Sequence, residues 1–93
     1  IPTRYDRLTP GDRRAVRLEY VARQGGLCYW CKAPLVGSPD KAVRDKEADV
    51  NWARFPKNFL RYPVHLQHCH ETGMTEGAVH ALCNAVMWQF HGR

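Results

Sequence analysis

Two short pairs of cysteine and histidine residues have the spacing of metal ligands. Cys28 and Cys31 are separated by two residues, and so are His80 and Cys83. Two ligands at this spacing can both reach one tetrahedral Zn²⁺ ion, with each sulfur about 2.3 Å from the metal. The two pairs therefore predict one site of three cysteines and one histidine. Such a site is structural, because four protein ligands leave no coordination position open for water.

Cys69 offers a competing ligand in place of His80, which would make the site all-cysteine. Cys69 lies between His68 and His70 in the sequence, so on a strand its side chain points away from both. Free cysteine is also among the most buried residue types. We therefore expect Cys69 in the core and His80 at the metal. The spacing favours a metal site in a reducing compartment over a disulfide framework.

A second group of residues has the chemistry of phosphodiester hydrolysis. His65, His68 and His70 fall within six residues, and Asn84 directly follows the last cysteine. An imidazole with a pKa near ~6.5 can remove a proton from water at neutral pH. An asparagine oxygen can ligate Mg²⁺, which usually keeps several waters and takes few protein ligands. A base, a metal and a basic surface are the components that this hydrolysis requires.

The hairpin histidines and the second metal pair resemble a known family. The residues that carry the resemblance are His-Cys-His-Glu-Thr-Gly at 68–73, Gly77, and His-Ala-Leu-Cys-Asn at 80–84. This pattern resembles the HNH, or ββα-metal, nucleases, and it is most similar to the phage recombination endonuclease VII branch. The resemblance covers residues 28–31 and roughly residues 64–90. It implies a small zinc-stabilised α+β domain of the ββα-metal (HNH) type, preceded here by a basic helix.

The resemblance also implies a role for each matching position. His68 falls where the family has its general base, and Asn84 falls where it has a catalytic metal ligand. The four predicted zinc ligands fall on the family's structural zinc positions, with His80 in place of a cysteine. By resemblance the protein is a metal-dependent DNA endonuclease that uses Mg²⁺ or Mn²⁺. Its products would carry 5′-phosphate and 3′-hydroxyl ends.

One position departs from the family in a way that affects the chemistry. Gln67 precedes His68, where the family has an aspartate that helps to hold the catalytic metal. Gln67 offers one neutral amide oxygen, and we predict it as a Mg²⁺ ligand together with Asn84. His65 and Glu71 are the substitutes that the motif offers. The alternative is a catalytically degenerate, zinc-stabilised domain that binds DNA without cutting it.

The charge balance fits either a polyanionic partner or a basic surface that only keeps the protein in solution. Lysine and arginine outnumber acidic residues by 14 to 9, which gives a formal net charge of +5. The planar guanidinium of arginine matches phosphate. We expect DNA as the partner, with contacts from Arg54, Lys57, Arg61 and His70. Aromatic side chains can stack on bases, but in so small a domain we interpret most of them as core.

The elements that position these residues follow from local patterns. Thr9 as a cap, Pro10 at the first position and a Gly25-Gly26 stop predict a helix over about residues 10–24. One face of this helix is apolar, and we interpret the other as a solvated basic face. That basic face carries three arginines: Arg13, Arg14 and Arg17.

The remaining chain divides into a zinc knuckle at 28–31, a lid or insert at 32–61 and a ββα core at 62–91. Residues 37–50 are expected to form an exposed loop or a short surface helix. Alternating apolar residues predict a β-hairpin whose second strand includes the apolar stretch 78–82. A final helix is expected to begin near Asn84 and to end before Gly92. Ninety-three residues allow one domain.

Composition and length exclude other classes of protein. No apolar run approaches the ~18 residues of a membrane span, and 44% hydrophobic residues are ordinary for a globular chain. We expect no membrane association and a cytoplasmic protein of phage or bacterial origin. One active site cuts one strand, so the expected assembly is a nicking monomer, a homodimer that cuts both strands, or part of a larger parent protein.

Overall fold

The computed structural model describes residues 2–92 and has the predicted α+β architecture. Its five main elements, in chain order, are α1 (Pro10–Arg23), α2 (Lys41–Arg44), β1 (Val64–His68), β2 (Thr75–His80) and α3 (Ala81–His91). Short 3₁₀ turns lie at Tyr5–Arg7, Glu47–Asp49 and Trp52–Arg54. Among the described residues, none of the helices combines the length and apolar content that crossing a membrane requires.

The predicted N-terminal helix is confirmed as α1. Thr9 caps it, because its side chain accepts a hydrogen bond from the backbone N–H of Asp12. The Asp12 carboxylate accepts one in return from the backbone N–H of Thr9, which completes a capping box. Gly25 and Gly26, both with positive φ, follow the last turn. These left-handed residues end the helix where the sequence predicts.

The predicted hairpin is confirmed as an antiparallel pair of strands. Val64 lies opposite His80, and the register shifts between Gln67 and His68. Gly77 lies opposite Gln67, and a Cβ there would approach the Tyr29 ring to 2.7 Å. The zinc knuckle therefore packs directly on the sheet at a position where only glycine fits.

The two outer edges of this hairpin have different surroundings. The segment at residues 3–5 pairs with the start of β2, since Thr75 donates from its backbone N–H to the carbonyl of Thr3 at 2.8 Å. Tyr29 donates in the same way to the carbonyl of Ala78 at 2.9 Å. The two-stranded sheet has no further strand beside β1 among the described residues. The edge of β1 is therefore left for the cleft described below.

The final helix begins three residues earlier than expected, at Ala81 and not at Asn84. The apolar stretch 78–82 is thus divided between the end of β2 and the first turn of α3. The two residues of the second metal pair explain this boundary. Side chains three apart on a helical turn lie on the same face, so the turn brings Cys83 back beside His80.

The core includes residues from the insert as well as from the ββα segment. Val43 of α2 and Val50 are buried in it, and Phe55 and Phe59 pack against it. The expected short helix in residues 37–50 is confirmed as α2, but the expectation of a wholly exposed segment is wrong, because Val43 and Val50 are buried where the insert folds back over the core. The expectation of a buried Cys69 is wrong. Cys69 is half-buried and lies outside the core cluster, because its backbone closes the hairpin turn through a hydrogen bond to Met74.

Candidate metal site and basic cleft

The four predicted zinc ligands lie together. Their ligand atoms all fall within 4.8 Å of one another, and Cys69 is not part of the group. The His80 Nδ1 atom is 3.5 Å from the Cys31 sulfur and 3.6 Å from the Cys83 sulfur. A tetrahedral zinc ion places its sulfur and nitrogen ligands ~3.6 Å apart. The group can hold a metal ion, and its geometry is consistent with structural zinc.

The backbone around His80 fixes which ring nitrogen faces the sulfurs. The Nε2 atom of His80 lies 2.8 Å from the carbonyl oxygen of Pro34. A carbonyl oxygen only accepts hydrogen bonds, so Nε2 carries the ring proton and donates the hydrogen bond to Pro34. Nδ1 is then unprotonated and available to a metal. This is the usual arrangement of a metal-binding histidine whose outer nitrogen is held by a backbone carbonyl.

Cys28 and Cys83 share a hydrogen bond that favours the thiolate on Cys28 and raises the pKa of Cys83. The hydrogen bond from the Cys83 thiol is the largest influence on Cys28, and it lowers the Cys28 pKa well below its ordinary value. Backbone N–H groups also point at sulfur, from Trp30 to Cys28 at 3.4 Å and from Asp40 to Cys31 at 3.5 Å. Thiolate is the form of cysteine that binds metal.

The hairpin histidines and Asn84 lie in a separate cleft of about 770 Å³. Val64, His65, Leu66 and His68 all line it, and consecutive residues of a strand point to opposite faces of a sheet. The cleft therefore runs along the free edge of β1. α1 forms one side of it, and residues 54–62 with α3 form the other.

His65 and Asn84 are in direct contact across the floor of this cleft. The Asn84 side-chain N–H donates to Nδ1 of His65 at 3.1 Å. The Oδ1 atom of Asn84 is then directed away from that bond and can act as a ligand to a cation. Burial lowers the pKa of His65, and the positive charge of Arg17 lowers it further. The sequence identified His65 as a substitute ligand, and the fold brings it to the predicted metal ligand.

His68 is held between aromatic and basic side chains. Its ring stacks on Tyr5 with centroids 4.0 Å apart and planes 12° apart. The guanidinium of Arg13 lies 4.4 Å from the Tyr5 ring centre. Burial lowers the pKa of His68, and the charges of His70 and Arg13 lower it further against an opposing effect of Glu76. A lowered pKa favours the neutral form of His68, which is the form that a general base must have.

Gln67 does not line the cleft. Its side chain is 1% exposed, and its Nε2 donates to the carbonyl of His68 at 3.0 Å. Its Oε1 has no hydrogen-bond partner among residues 2–92. Residues two apart on a strand share a face, so Gln67 is on the same face as His65. An amide oxygen without a partner beneath the cleft is compatible with the predicted metal-ligand role, which stays a prediction.

The predicted DNA-contact residues are only partly in the cleft. Arg54 and His70 line it, whereas Lys57 and Arg61 are exposed outside its lining. The interpretation of the arginine face of α1 as solvated surface holds for Arg14, which is exposed, and is incomplete for Arg13 and Arg17, which are half-buried. All three arginines line the cleft, because α1 packs across the hairpin with that face toward β1.

Two features of the cleft had no local signal in the sequence. Tyr5 lies far from His68 along the chain, and only the pairing of residues 3–5 with β2 brings the two rings together. None of the described residues that line the cleft is Asp or Glu. Glu71 lies instead beside the hairpin turn, in a smaller depression. The described lining of the cleft therefore offers a cation neutral donors only.

The two sites are joined by the boundary between β2 and α3. Cys83 belongs to the metal group and Asn84, the next residue, belongs to the cleft.

Comparison of the chain with models of protein families, with curated proteins and with solved structures found no match. The function is therefore inferred from the chemistry of these two sites.

Proposed function

We propose that the protein is a metal-dependent DNA endonuclease of the HNH, ββα-metal type, with a structural zinc site. One observation carries the proposal. A neutral histidine, His68, and the contacting pair His65 and Asn84 line a single cleft that also contains arginines. These are the general base, the metal ligand and the phosphate-binding charge that phosphodiester hydrolysis needs.

In this mechanism His68 accepts the proton of the attacking water. Stacking on Tyr5 fixes the plane of the imidazole, so that its free nitrogen points in a constant direction. The arginines of the cleft neutralise the phosphate and hold it in line with the water. His65 orients the Asn84 amide through their hydrogen bond, which leaves Oδ1 free to ligate a cation.

Asn84 would hold the catalytic cation through its amide oxygen, and Gln67, which is buried outside the cleft lining, would have to turn toward the cleft to add its own. When bound, Mg²⁺ or Mn²⁺ stabilises the departing 3′ oxygen as a Lewis acid. Both protein ligands are neutral, and the described lining of the cleft has no carboxylate. The substrate phosphate must therefore supply the compensating charge. We expect the free protein to bind the cation weakly and the DNA complex to bind it well.

The second candidate function is DNA binding without cleavage. Two observations favour it: the burial of Gln67 and a cleft lining without a carboxylate. A degenerate nuclease fold would keep the zinc site and the arginines and lose only the cation. The two candidates differ in cleavage and not in affinity for DNA.

A nicking assay on supercoiled plasmid tests the proposal. Wild-type protein is incubated with Mg²⁺, with Mn²⁺, and with a chelator too weak to remove zinc. We expect cation-dependent conversion to open circles that disappears in His68→Ala and Asn84→Ala. His91→Ala is the matched control, since His91 is an exposed histidine of α3 outside the cleft. Intact plasmid in every lane, with DNA still bound, would instead establish the binding-only function.

The proposal includes a partner, an assembly and a compartment. DNA is the partner, and one cleft per chain cuts one strand, so cutting both strands requires a homodimer or a larger parent protein. All four cysteines are free thiols. Free thiols with metal-ligand spacing suit the reducing cytoplasm of a bacterium or of a phage-infected cell.

A further inference from the structure

One wall of the cleft is a row of arginines without acidic partners. Arg13 and Arg17 are half-buried on successive turns of α1, and Arg14 lies between them. Among residues 2–92, the observed ion pairs involve other side chains, such as Arg23 with Glu19. The Nε atom of Arg13 is buried and has no hydrogen-bond partner in the same range. This wall therefore has positive charge that no described carboxylate neutralises.

The opposite wall is aromatic. Phe55 lies 4.8 Å from Phe59 and 5.3 Å from Trp88, measured between ring centres. Phe59 contacts His65 edge-on at 4.7 Å, so the aromatic wall reaches the floor of the cleft. Tyr62 extends this wall and is 64% exposed. The Arg61 guanidinium lies 5.5 Å from the Tyr62 ring centre, and an exposed ring beside arginine can take part in stacking on a base.

The size of the cleft limits what can enter it. Its volume of about 770 Å³ has room for a phosphate and a base of one strand. In a duplex the faces of the bases are stacked on one another, so the aromatic wall would have no base to bind.

We propose that the cleft binds one unpaired DNA strand, with its phosphates on the arginines of α1 and its bases on the aromatic wall. This rests on the proposed function and names its substrate class. Arg13 and Arg17 are separated by four residues, or ~6 Å along the helix. Arg13 covers Tyr5, which stacks on His68. Tyr5 therefore links the arginine wall to the proposed base.

Fluorescence anisotropy with a labelled oligonucleotide tests this assignment. The same sequence is used single-stranded and as a hairpin duplex, with zinc-loaded protein and no added divalent cation, so that nothing is cut. We expect the single strand to bind about tenfold more tightly, since one stacked base is worth roughly that factor. Tyr62→Ala should remove most of that preference. Phe90→Ala is its control, because Phe90 is also an exposed ring but lies outside the cleft.

A salt titration of the same complexes tests the arginine wall. The double variant Arg13→Gln and Arg17→Gln should reduce the log–log salt slope for the single strand by ~1.4, or ~0.7 for each lost phosphate contact. Arg23→Gln on the same helix is the control, because Arg23 is exposed and paired with Glu19. It should leave the slope within about 0.3 of wild type.

The outcomes separate this proposal from the proposed function. Tighter binding to the duplex, or equal effects of the cleft and control variants, would overturn the unpaired-strand assignment even if plasmid is nicked. A protein that prefers the single strand through Tyr62 and Arg17 but never nicks plasmid would support the assignment and overturn the endonuclease. No measurable DNA binding by wild-type protein would overturn both.

Discussion

Replacement of Cys83 by alanine should unfold the domain, whereas replacement of Cys69 should not. The two cysteines lie in the same half of the chain, but only Cys83 belongs to the metal group. Cys83 is completely buried, and Cys69 is half-buried at the hairpin turn. The pair of variants therefore separates loss of a metal ligand from loss of a cysteine.

The expected magnitude follows from the size of the domain. Stability of ~0.05–0.15 kcal/mol per residue gives about 5–14 kcal/mol for a chain of this length. Structural zinc contributes ~10–16 kcal/mol in small zinc domains. Loss of the metal thus removes as much free energy as the whole fold is expected to have. Cys69→Ala removes no ligand, and its effect should stay within ~1 kcal/mol.

Thermal unfolding followed by circular dichroism, combined with measured zinc content, checks this prediction. Wild type and Cys69→Ala should each contain about one zinc per chain and melt cooperatively. Cys83→Ala should contain no zinc and show no cooperative transition. His80→Cys, which keeps four ligands, should retain the metal. A metal-free Cys83→Ala protein that melts like wild type would refute the assignment of a structural site.

Three further changes test the hairpin and the cleft. Gly77→Ala should destabilise the fold by ~1–3 kcal/mol, because its Cβ would meet the Tyr29 ring at 2.7 Å; an unchanged denaturation midpoint would contradict that packing. Gln67→Asp should lower the Mg²⁺ concentration for half-maximal nicking by adding a negative ligand, and an unchanged cation response would direct the search to His65 and Glu71. The pKa of His68 is lowered from 6.5 by burial and by nearby positive charge. The nicking rate should therefore be constant at neutral pH. It should decline only below about pH 6.5, as the base becomes protonated. Arg13→Gln should raise that pKa and shift the acid limb of the pH–rate profile upward, and a limb that does not move would refute the electrostatic coupling.

Local signals in the sequence are sufficient to predict the first helix, the knuckle and the hairpin. Thr9 and Asp12 form the capping box within four residues, and the C-x2-C spacing is itself a geometric property of a tetrahedral site. The start of α3 was placed too late, because the apolar stretch 78–82 has no break in hydrophobicity. The helix begins at Ala81 because its first turn brings Cys83 beside His80. That proximity is a feature of the tertiary structure and not of the local sequence.

The composition of the cleft was the least predictable feature. Arg13 and Arg17 have the spacing of a solvated helix face, and nothing near them in the sequence indicates which surface α1 covers. The contact of Tyr5 with His68 depends on pairing between residues 3–5 and β2. Cys69 was expected in the core from its residue type. The tight turn that its backbone closes keeps the side chain near the surface.

The position of Asn84 links the zinc site to the proposed chemistry. Consecutive residues of an α-helix point ~100° apart, so Cys83 can face the metal group while Asn84 faces the cleft. A metal bound to both Cys83 and His80 would set the rotation of α3 relative to β2. That rotation determines whether Asn84 reaches Nδ1 of His65 at 3.1 Å. One metal site would then both stabilise the domain and align its cleft, so metal removal should disrupt the His65–Asn84 contact along with the fold.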